Sequence, residues 1–122
     1  MTDPVATDPS SFFSTGHPLY VVKANLFKGL SHPVRVRVLE VLSASPSVAV
    51  GDLLADTGLE ASHLSQHLAV LRKHNLVTAE RRASQVYYSL AYPEVADLLT
   101  VAKGLLVHIL ATTQRQLDAA TS

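Results

Sequence analysis

Apolar residues along the chain recur at intervals of three and four, the spacing that predicts amphipathic helices. The pattern begins at Leu19, runs to Leu30, and restarts after Ser31-His32-Pro33. Because proline is tolerated in the first turn of a helix, Pro33 predicts the start of a second helix. The recurring apolar positions of the first helix are Leu19, Val22, Leu26, Phe27 and Leu30. In the second helix, the expected buried stripe is Val34, Val38, Val41 and Leu42.

Two short helices are predicted after a loop over residues 43–47. The first contains Val50, Leu53 and Leu54 and ends at Thr57-Gly58, and the second runs from about Ala61 to His74 with Leu64, Leu68 and Leu71 buried. Glycine can adopt the left-handed conformation without a side-chain penalty, so Gly58 allows the next helix to start at a steep angle. This arrangement is a helix-turn-helix.

Residues 76–80 and 86–90 are predicted strands, since the second segment, Val-Tyr-Tyr-Ser-Leu, is rich in β-formers. Residues 81–85 would join them into a hairpin. A hairpin directly after a helix-turn-helix is the wing of a winged helix. We therefore expect a mainly α fold with a small β-hairpin wing, in which four helices precede the hairpin, the fourth is the recognition helix, and a fifth follows.

The last helix is predicted from Glu94 to Leu117, opened by Pro93, and its middle is apolar over more than one face. A helix of this kind has to be covered, and the rest of a small chain cannot cover it fully. We therefore expect a homodimer through the terminal helices. The expected interface residues are Leu98, Val101, Leu105 and Ile109.

The ends of the chain differ from this body. Residues 1–18 hold three prolines and seven Ser, Thr or Gly residues, which predicts a flexible N-terminal tail. Phe12 and Phe13 are the exception, and the alternative is that this aromatic pair docks on the body or on a partner. The winged-helix domain would then cover residues 19–117, with a C-terminal tail at 118–122.

Composition narrows the class of protein. The chain has 122 residues, 48% of them hydrophobic, which fits one globular domain. The absence of cysteine excludes disulfides, thiolate zinc sites, thiol redox switches and a cysteine nucleophile. No continuous apolar run reaches about 18 residues and no signal pattern is present, so we expect a cytoplasmic protein without a membrane partner.

The formal net charge of zero conceals an uneven distribution. Ten basic and ten acidic residues balance overall, but residues 19–90 hold eight basic and five acidic ones, a charge of +3. The first 18 residues carry −2 and the last 32 carry −1. The positive charge thus falls on the predicted helix-turn-helix and wing, as expected of a body that binds double-stranded DNA.

A helical wheel places small polar residues near the start of the recognition helix and bases near its end. Serine and glutamine side chains suit contacts to base edges, whereas arginine and lysine suit phosphates. The expected DNA-binding residues are Ser62, His63, Ser65, Gln66, His67, Arg72, Lys73, Arg81 and Arg82. The alternative is an ordinary solvated helix face. His63 and His67, at i and i+4, could instead clamp a metal, although they flank the recognition surface.

Several motifs in order resemble the ArsR/SmtB family of bacterial winged-helix repressors. They are Phe27-Lys28-Gly29-Leu30-Ser31-His32-Pro33-Val34-Arg35, Val50-Gly51-Asp52-Leu53, Ser65-Gln66-His67-Leu68-Ala69-Val70-Leu71-Arg72, and Leu76-Val77 with Val86-Tyr87-Tyr88-Ser89-Leu90. The resemblance spans roughly residues 24 to 110. It implies a homodimer that presents two recognition helices to a palindromic operator and is often released when a metal ion binds.

The chain departs from the family pattern at the wing tip and at the metal sites. At the wing tip, Ser84-Gln85 replaces the usual Gly and Arg. At the family's thiolate metal site, Ala49 stands where a cysteine would be. The family's other site lies on the terminal helix. The matching positions here are Tyr92, Glu94, Leu105 and His108, of which two can ligate.

Glu94, Asp97 and His108 nevertheless share one face of the terminal helix, since Glu94 lies within about 40° and Asp97 within about 20° of His108. Glu94 and His108 lie about 21 Å apart along one helix, so a shared ion would need the partner's copy. Two symmetric sites for Ni²⁺, Co²⁺ or Zn²⁺ would result at the dimer interface, with His17 or water completing each shell. The alternative is that the acids interact with the helix dipole and His108 is a lone imidazole.

Three functions stay open from the sequence. The first is a dimeric DNA-binding transcription regulator, a repressor by resemblance, that responds to nickel, cobalt or zinc. The second is the same regulator without a metal site, controlled by a small molecule, a partner protein or its own concentration. The third is a winged-helix protein-interaction module. An enzyme is not expected, since no phosphate loop or nucleophile motif is present and no catalytic residue can be assigned.

Overall fold

The computed structural model describes residues 16–121, which form five helices and three strands. In chain order these are α1 Leu19–Leu30, α2 Pro33–Ser43, β1 Val48–Ala49, α3 Val50–Thr57, α4 Ala61–Lys73, β2 Val77–Arg82, β3 Gln85–Leu90 and α5 Glu94–Thr121. The predicted mainly α winged helix-turn-helix is confirmed. The docking or flexibility of Phe12 and Phe13 concerns residues outside those described.

The boundary between α1 and α2 follows from local chemistry. His32 is the N-cap of α2, and the backbone N–H of Val34 donates to its Nδ1 atom at 3.1 Å. This bond satisfies one of the amides that the first turn of a helix leaves unpaired. Pro33, which has no N–H to satisfy, follows directly.

The turn between α3 and α4 is the predicted glycine turn. Gly58 has a φ of 68°, and its N–H donates to the Leu54 carbonyl at 2.9 Å. A side chain would strain this left-handed conformation, so glycine allows α4 to begin within three residues. Arg37 of α2 holds α3 from the side, with two hydrogen bonds of 2.8 Å to the Asp56 carboxylate.

The sheet has one strand more than predicted. β1 pairs antiparallel with β3, and β3 with β2, so the order is β1-β3-β2. A strand of two residues is too short to leave an alternating pattern, so the sequence did not assign Val48 and Ala49 to a strand. The hairpin loop is also shorter than the predicted 81–85, because Arg82 pairs with Gln85 and only two residues remain between them.

The core lies between the first four helices and the inner face of the sheet. Leu64, Leu68 and Leu71 of α4 are buried as predicted. Leu39 is fully buried although the predicted stripe of α2 omitted it. The other buried apolar residues are Val38, Leu42, Val48, Leu53, Leu76, Val77, Tyr88 and Val95.

The terminal helix α5 continues to Thr121, four residues past its expected end, and every residue from Val101 to Thr121 is exposed. Among these are Val101, Leu105 and Ile109 of the predicted interface, whereas Leu98 is half-buried against the body. By length and composition alone this helix could cross a membrane, although Lys103 lies within it. A helix whose apolar side is covered by another protein passes the same test.

Candidate nucleic-acid interface

The outward face of α4 carries the side chains predicted to meet DNA. Ser62, His63, Ser65 and Gln66 are exposed along its first half, and Arg72 and Lys73 are exposed at its end. Since Leu64, Leu68 and Leu71 anchor the opposite side, these groups are presented together on a fixed helix. The arrangement can offer hydrogen-bonding groups to base edges and positive charge to phosphates.

His67 is half-buried and differs from the other predicted contacts on α4. Its ring centroid lies 4.2 Å from that of His32, and its Nδ1 atom lies 3.3 Å from Nη1 of Arg35. A guanidinium only donates hydrogen bonds, so Nδ1 of His67 accepts and its ring proton is on Nε2. The ring therefore connects the recognition helix to the start of α2.

The pKa of His67 is lowered from its ordinary value, chiefly because partial burial disfavours the charged ring. Repulsion from neighbouring cationic groups adds to this effect. Those groups are His32, Arg35 and His63. His67 is thus kept neutral, the state in which it can accept from Arg35.

Arg35 supports the recognition helix through contacts that residue spacing did not indicate. Besides His67, it donates from Nε to the Gly29 carbonyl at 2.7 Å and from Nη2 to the Lys28 carbonyl at 3.4 Å. These carbonyls belong to the last turn of α1, where the Lys28 carbonyl also accepts from the backbone N–H of Ser31 at 3.2 Å. Arg35 therefore joins α1, α2 and α4. Its place in the His-Pro-Val-Arg motif was the available signal.

Arg37 and Asp56 form the second joint of the helix-turn-helix. The hydrogen bonds from Arg37 lower the pKa of Asp56, and the same contact raises the pKa of Arg37. Both pairing atoms are on the surface, so this contact fixes geometry more than it adds stability. The pair is 19 residues apart in sequence, and no local pattern pointed to it.

The wing holds its two arginines differently. Arg82 donates from Nε to Glu80 at 2.9 Å, and its guanidinium lies 4.5 Å above the centre of the Tyr87 ring. Arg81, the neighbouring residue on the strand, points to the opposite face. Within residues 16–121 Arg81 has no hydrogen-bond or ion-pair partner, and its charge is the more available one for phosphate.

His74, which follows α4, is buried against α1. A Cβ atom added to Gly29 would lie 2.5 Å from Cγ of His74, so only glycine permits this approach. Burial, and secondarily the charge of Arg35, lowers the pKa of His74. The spacing of residues in the sequence did not indicate this close packing of His74 against Gly29.

The predicted metal ligands lie outside α4 and the wing, on α5 and before α1. Glu94 and Asp97 are exposed in the first turn of α5, His108 is exposed three turns later, and His17 precedes α1. A single chain, over the part described, brings no three His, Asp or Glu side chains together in a group that could hold a metal ion.

Comparison with known proteins matches residues 32–79, from the start of α2 into β2, to the family model described as bacterial regulatory protein, arsR family. The HTH-type transcriptional regulator Rv0081 of Mycobacterium tuberculosis is 48% identical over 94 residues, which cover 76% of this chain and 82% of that protein. Its crystal structure superposes with a TM-score of 0.74 at 45% identity, covering 80% of this chain and 98% of that one.

Two further relatives are named for opposite effects on transcription. The biofilm growth-associated repressor of Xylella fastidiosa is 38% identical over 76 residues, 62% of this chain and 66% of the relative. The transcriptional activator HlyU of Vibrio cholerae is 35% identical over 80 residues, 66% of this chain and 73% of the relative. Both are transcription regulators and neither name denotes an enzyme.

Proposed function

The chain belongs to the ArsR family of bacterial regulatory proteins, and from this premise we propose that it is a homodimeric repressor that binds a palindromic operator in double-stranded DNA. It is a DNA-binding transcription regulator and not an enzyme. The observation that carries the proposal is the polar outer face of α4, which is exposed beside a wing with an available arginine. A regulator of this kind acts where the chromosome is, so we also propose a cytoplasmic location.

The proposed contacts divide into two chemical classes. Ser62, Ser65 and Gln66 would read base edges in the major groove, since α4 exposes them near its N-terminus. His63, Arg72, Lys73, Arg81 and Arg82 would contact phosphates. His67 keeps its predicted place on this surface, with Nε2–H as the group it can still offer, because Nδ1 is used by Arg35.

The proposal of a dimer is supported by the exposed apolar side of α5. Val101, Leu105 and Ile109 are each about half or more exposed, and a soluble protein does not usually leave such a stripe in water. A second copy of the helix is the occupant that also gives two recognition helices. Sedimentation should give twice the chain mass of 13.1 kDa, and Leu105→Glu should give the single mass. Gln114→Glu, a charge change on the exposed end of the same helix, is the control.

A further question is whether a metal ion regulates DNA binding. The side chains available as metal ligands on α5 do not favour this. Of the four positions that match the family's terminal-helix site, Leu105 has no donor atom and Tyr92 lies against an apolar cavity. Two of the four remain, Glu94 and His108, and with the neighbouring Asp97 they would have to be drawn from two chains. We therefore propose a regulator whose signal is not a metal. Adding Ni²⁺, Co²⁺ or Zn²⁺ should change DNA affinity less than about twofold, well below the usual allosteric coupling. A larger change that His108→Ala abolishes would reverse this choice.

The direction of regulation is proposed from the family and from the repressor among the relatives, although the relatives include an activator. Transcription from the chain's own promoter should rise when the gene is deleted. A fall in transcription would show activation instead.

DNA binding is tested by fluorescence anisotropy with the chain's own promoter DNA across a salt series. Neutralised phosphates release counterions, so affinity should fall steeply as salt rises. A flat response, or no binding at all, would favour a protein-interaction module on the same fold.

A further inference from the structure

A cavity of about 510 Å³ lies between α1, the turn that follows α4, and the start of α5. Its walls are mainly apolar, formed by Leu19, Val22, Leu26, Leu76, Val95 and Leu98. Its size is within the range of sites that hold drug-sized molecules, which are typically apolar with a few polar groups.

The most buried polar residue of the cavity lining is His74, which is only 9% exposed. Its backbone N–H caps α4, but its ring nitrogens have no hydrogen-bond partner among the residues that the structure describes. Neither nitrogen is among the fully buried, unbonded side-chain atoms of that part of the chain, so both remain accessible. An accessible, unbonded imidazole in an apolar cavity is the kind of polar group that orients a ligand in such sites.

The charges around the opening indicate what kind of molecule fits. Lys23 and Glu94 both line the cavity and are exposed, so their opposite charges favour neither an anion nor a cation. The lowered pKa of His74 leaves a neutral ring, which can donate one hydrogen bond and accept another. The site thus matches a ligand without charge.

We propose that this cavity is an effector site for an uncharged, mostly apolar small molecule with one hydroxyl or carbonyl group, which bonds to His74. The regulatory part of this inference rests on the proposed DNA-binding function. His74 and Leu76 are the residues through which α4 continues into the wing, and Glu94 and Val95 begin the helix of the proposed dimer. A bound molecule would contact both elements, and could couple its own binding to the spacing of the two recognition helices.

Three probes with the same ring system separate the contributions of apolar contact, hydrogen bonding and charge to binding. They are naphthalene, 1-naphthol and 1-naphthoate. The chain has no tryptophan, so the fluorescence of naphthalene compounds can be followed on the full chain without a tryptophan background. The proposal predicts that 1-naphthol binds about tenfold more tightly than the other two, because only naphthol is both uncharged and able to bond to His74.

Two variants address the site from different sides. His74→Leu should remove the preference for naphthol over naphthalene while naphthalene still binds. Val22→Phe, which fills the cavity without touching the imidazole chemistry, should abolish binding of all three probes. Thr78→Leu, at an exposed position of β2 outside the cavity lining, is the control and should bind the probes as the unchanged chain does. Circular dichroism establishes that each variant is folded.

Several results would overturn the site. They are equal binding of naphthol and naphthalene, an unchanged preference in His74→Leu, and no binding of any probe to the folded full chain. The last outcome would mean that water, the second copy or residues 1–15 occupy the cavity.

A separate anisotropy measurement tests the effector role on promoter DNA. Saturating 1-naphthol should change DNA affinity at least about fivefold, and a change below twofold would overturn that role. If the chain bound naphthol but no DNA, the proposed DNA-binding function would be wrong, whereas the proposed ligand site would still be supported.

Discussion

The guanidinium of Arg35 lies 3.3 Å from Nδ1 of His67, so a residue of the first turn of α2 contacts the middle of the recognition helix. The same guanidinium reaches the Gly29 carbonyl at the end of α1. One side chain thereby sets the position of α4 relative to two other helices. The orientation of the proposed DNA-reading face depends on this contact as much as on the buried leucines.

Replacing Arg35 by lysine should loosen this joint. A lysine ammonium cannot reproduce the planar fork that reaches His67 and two carbonyls at once, although it keeps the charge. We expect a loss of about 1–3 kcal/mol in the free energy of unfolding and a weaker preference for operator DNA. Urea denaturation measures the first and anisotropy the second. Arg81→Lys, where no partner is lost among the described residues, should leave stability within about 0.5 kcal/mol. Equal stability of the two variants would contradict the role given to Arg35.

Acidification should destabilise the protein through two histidines. Burial lowers the pKa of both His67 and His74 in the folded state, whereas in the unfolded chain they titrate near 6.5. The unfolded state therefore binds more protons in this range, and their contribution is present above about pH 6.5 and is lost as pH falls through the folded pKa values. Urea midpoints measured from pH 8 to pH 5 should fall. The slope should be shallower in His74→Leu, and an unchanged slope in that variant would speak against its burial as a neutral ring.

Adding one methyl group at Gly29 should be costly. The new Cβ would lie 2.5 Å from Cγ of His74, which is too close for a real contact. We expect Gly29→Ala to destabilise the fold by about 1–3 kcal/mol, as overpacking does. Gly51→Ala is the matched control, because it lies in α3 with no atom within 4 Å of the added carbon. It should be neutral or stabilising by up to about 1 kcal/mol, since alanine is the better helix former. Similar thermal midpoints for the two variants would refute the close packing.

The helix-turn-helix and the wing could be predicted because they leave local patterns. Leu64, Leu68 and Leu71 recur at helical spacing, and Gly58 marks the turn by its freedom to adopt a positive φ. The two-residue strand β1 is too short for any period. The end of α5 was placed too early because nothing after Leu117 breaks a helix.

For the candidate DNA-binding surface, the sequence predicted which side chains are exposed on α4 but not the contacts that hold this helix in place. Which residues hold α4 in place depends on contacts between positions far apart in sequence, such as Arg35 with His67 and Gly29 with His74. These contacts are set by tertiary packing, which residue spacing does not report. The predicted metal site stays a prediction, since its ligands were expected from two copies of α5 and one chain does not bring them together.

The central claim is that α4 reads base sequence through its exposed polar face. Its most direct test is the ratio of affinities for promoter DNA and for random DNA of equal length, measured by anisotropy for Gln66→Ala and for Arg81→Ala. Loss of a base contact costs about 1–3 kcal/mol of discrimination, whereas loss of a phosphate contact weakens both DNAs alike. We predict that Gln66→Ala reduces the ratio about fivefold or more and that Arg81→Ala leaves it unchanged while lowering both affinities. An unchanged ratio in Gln66→Ala would contradict the assignment of α4 as the reading helix.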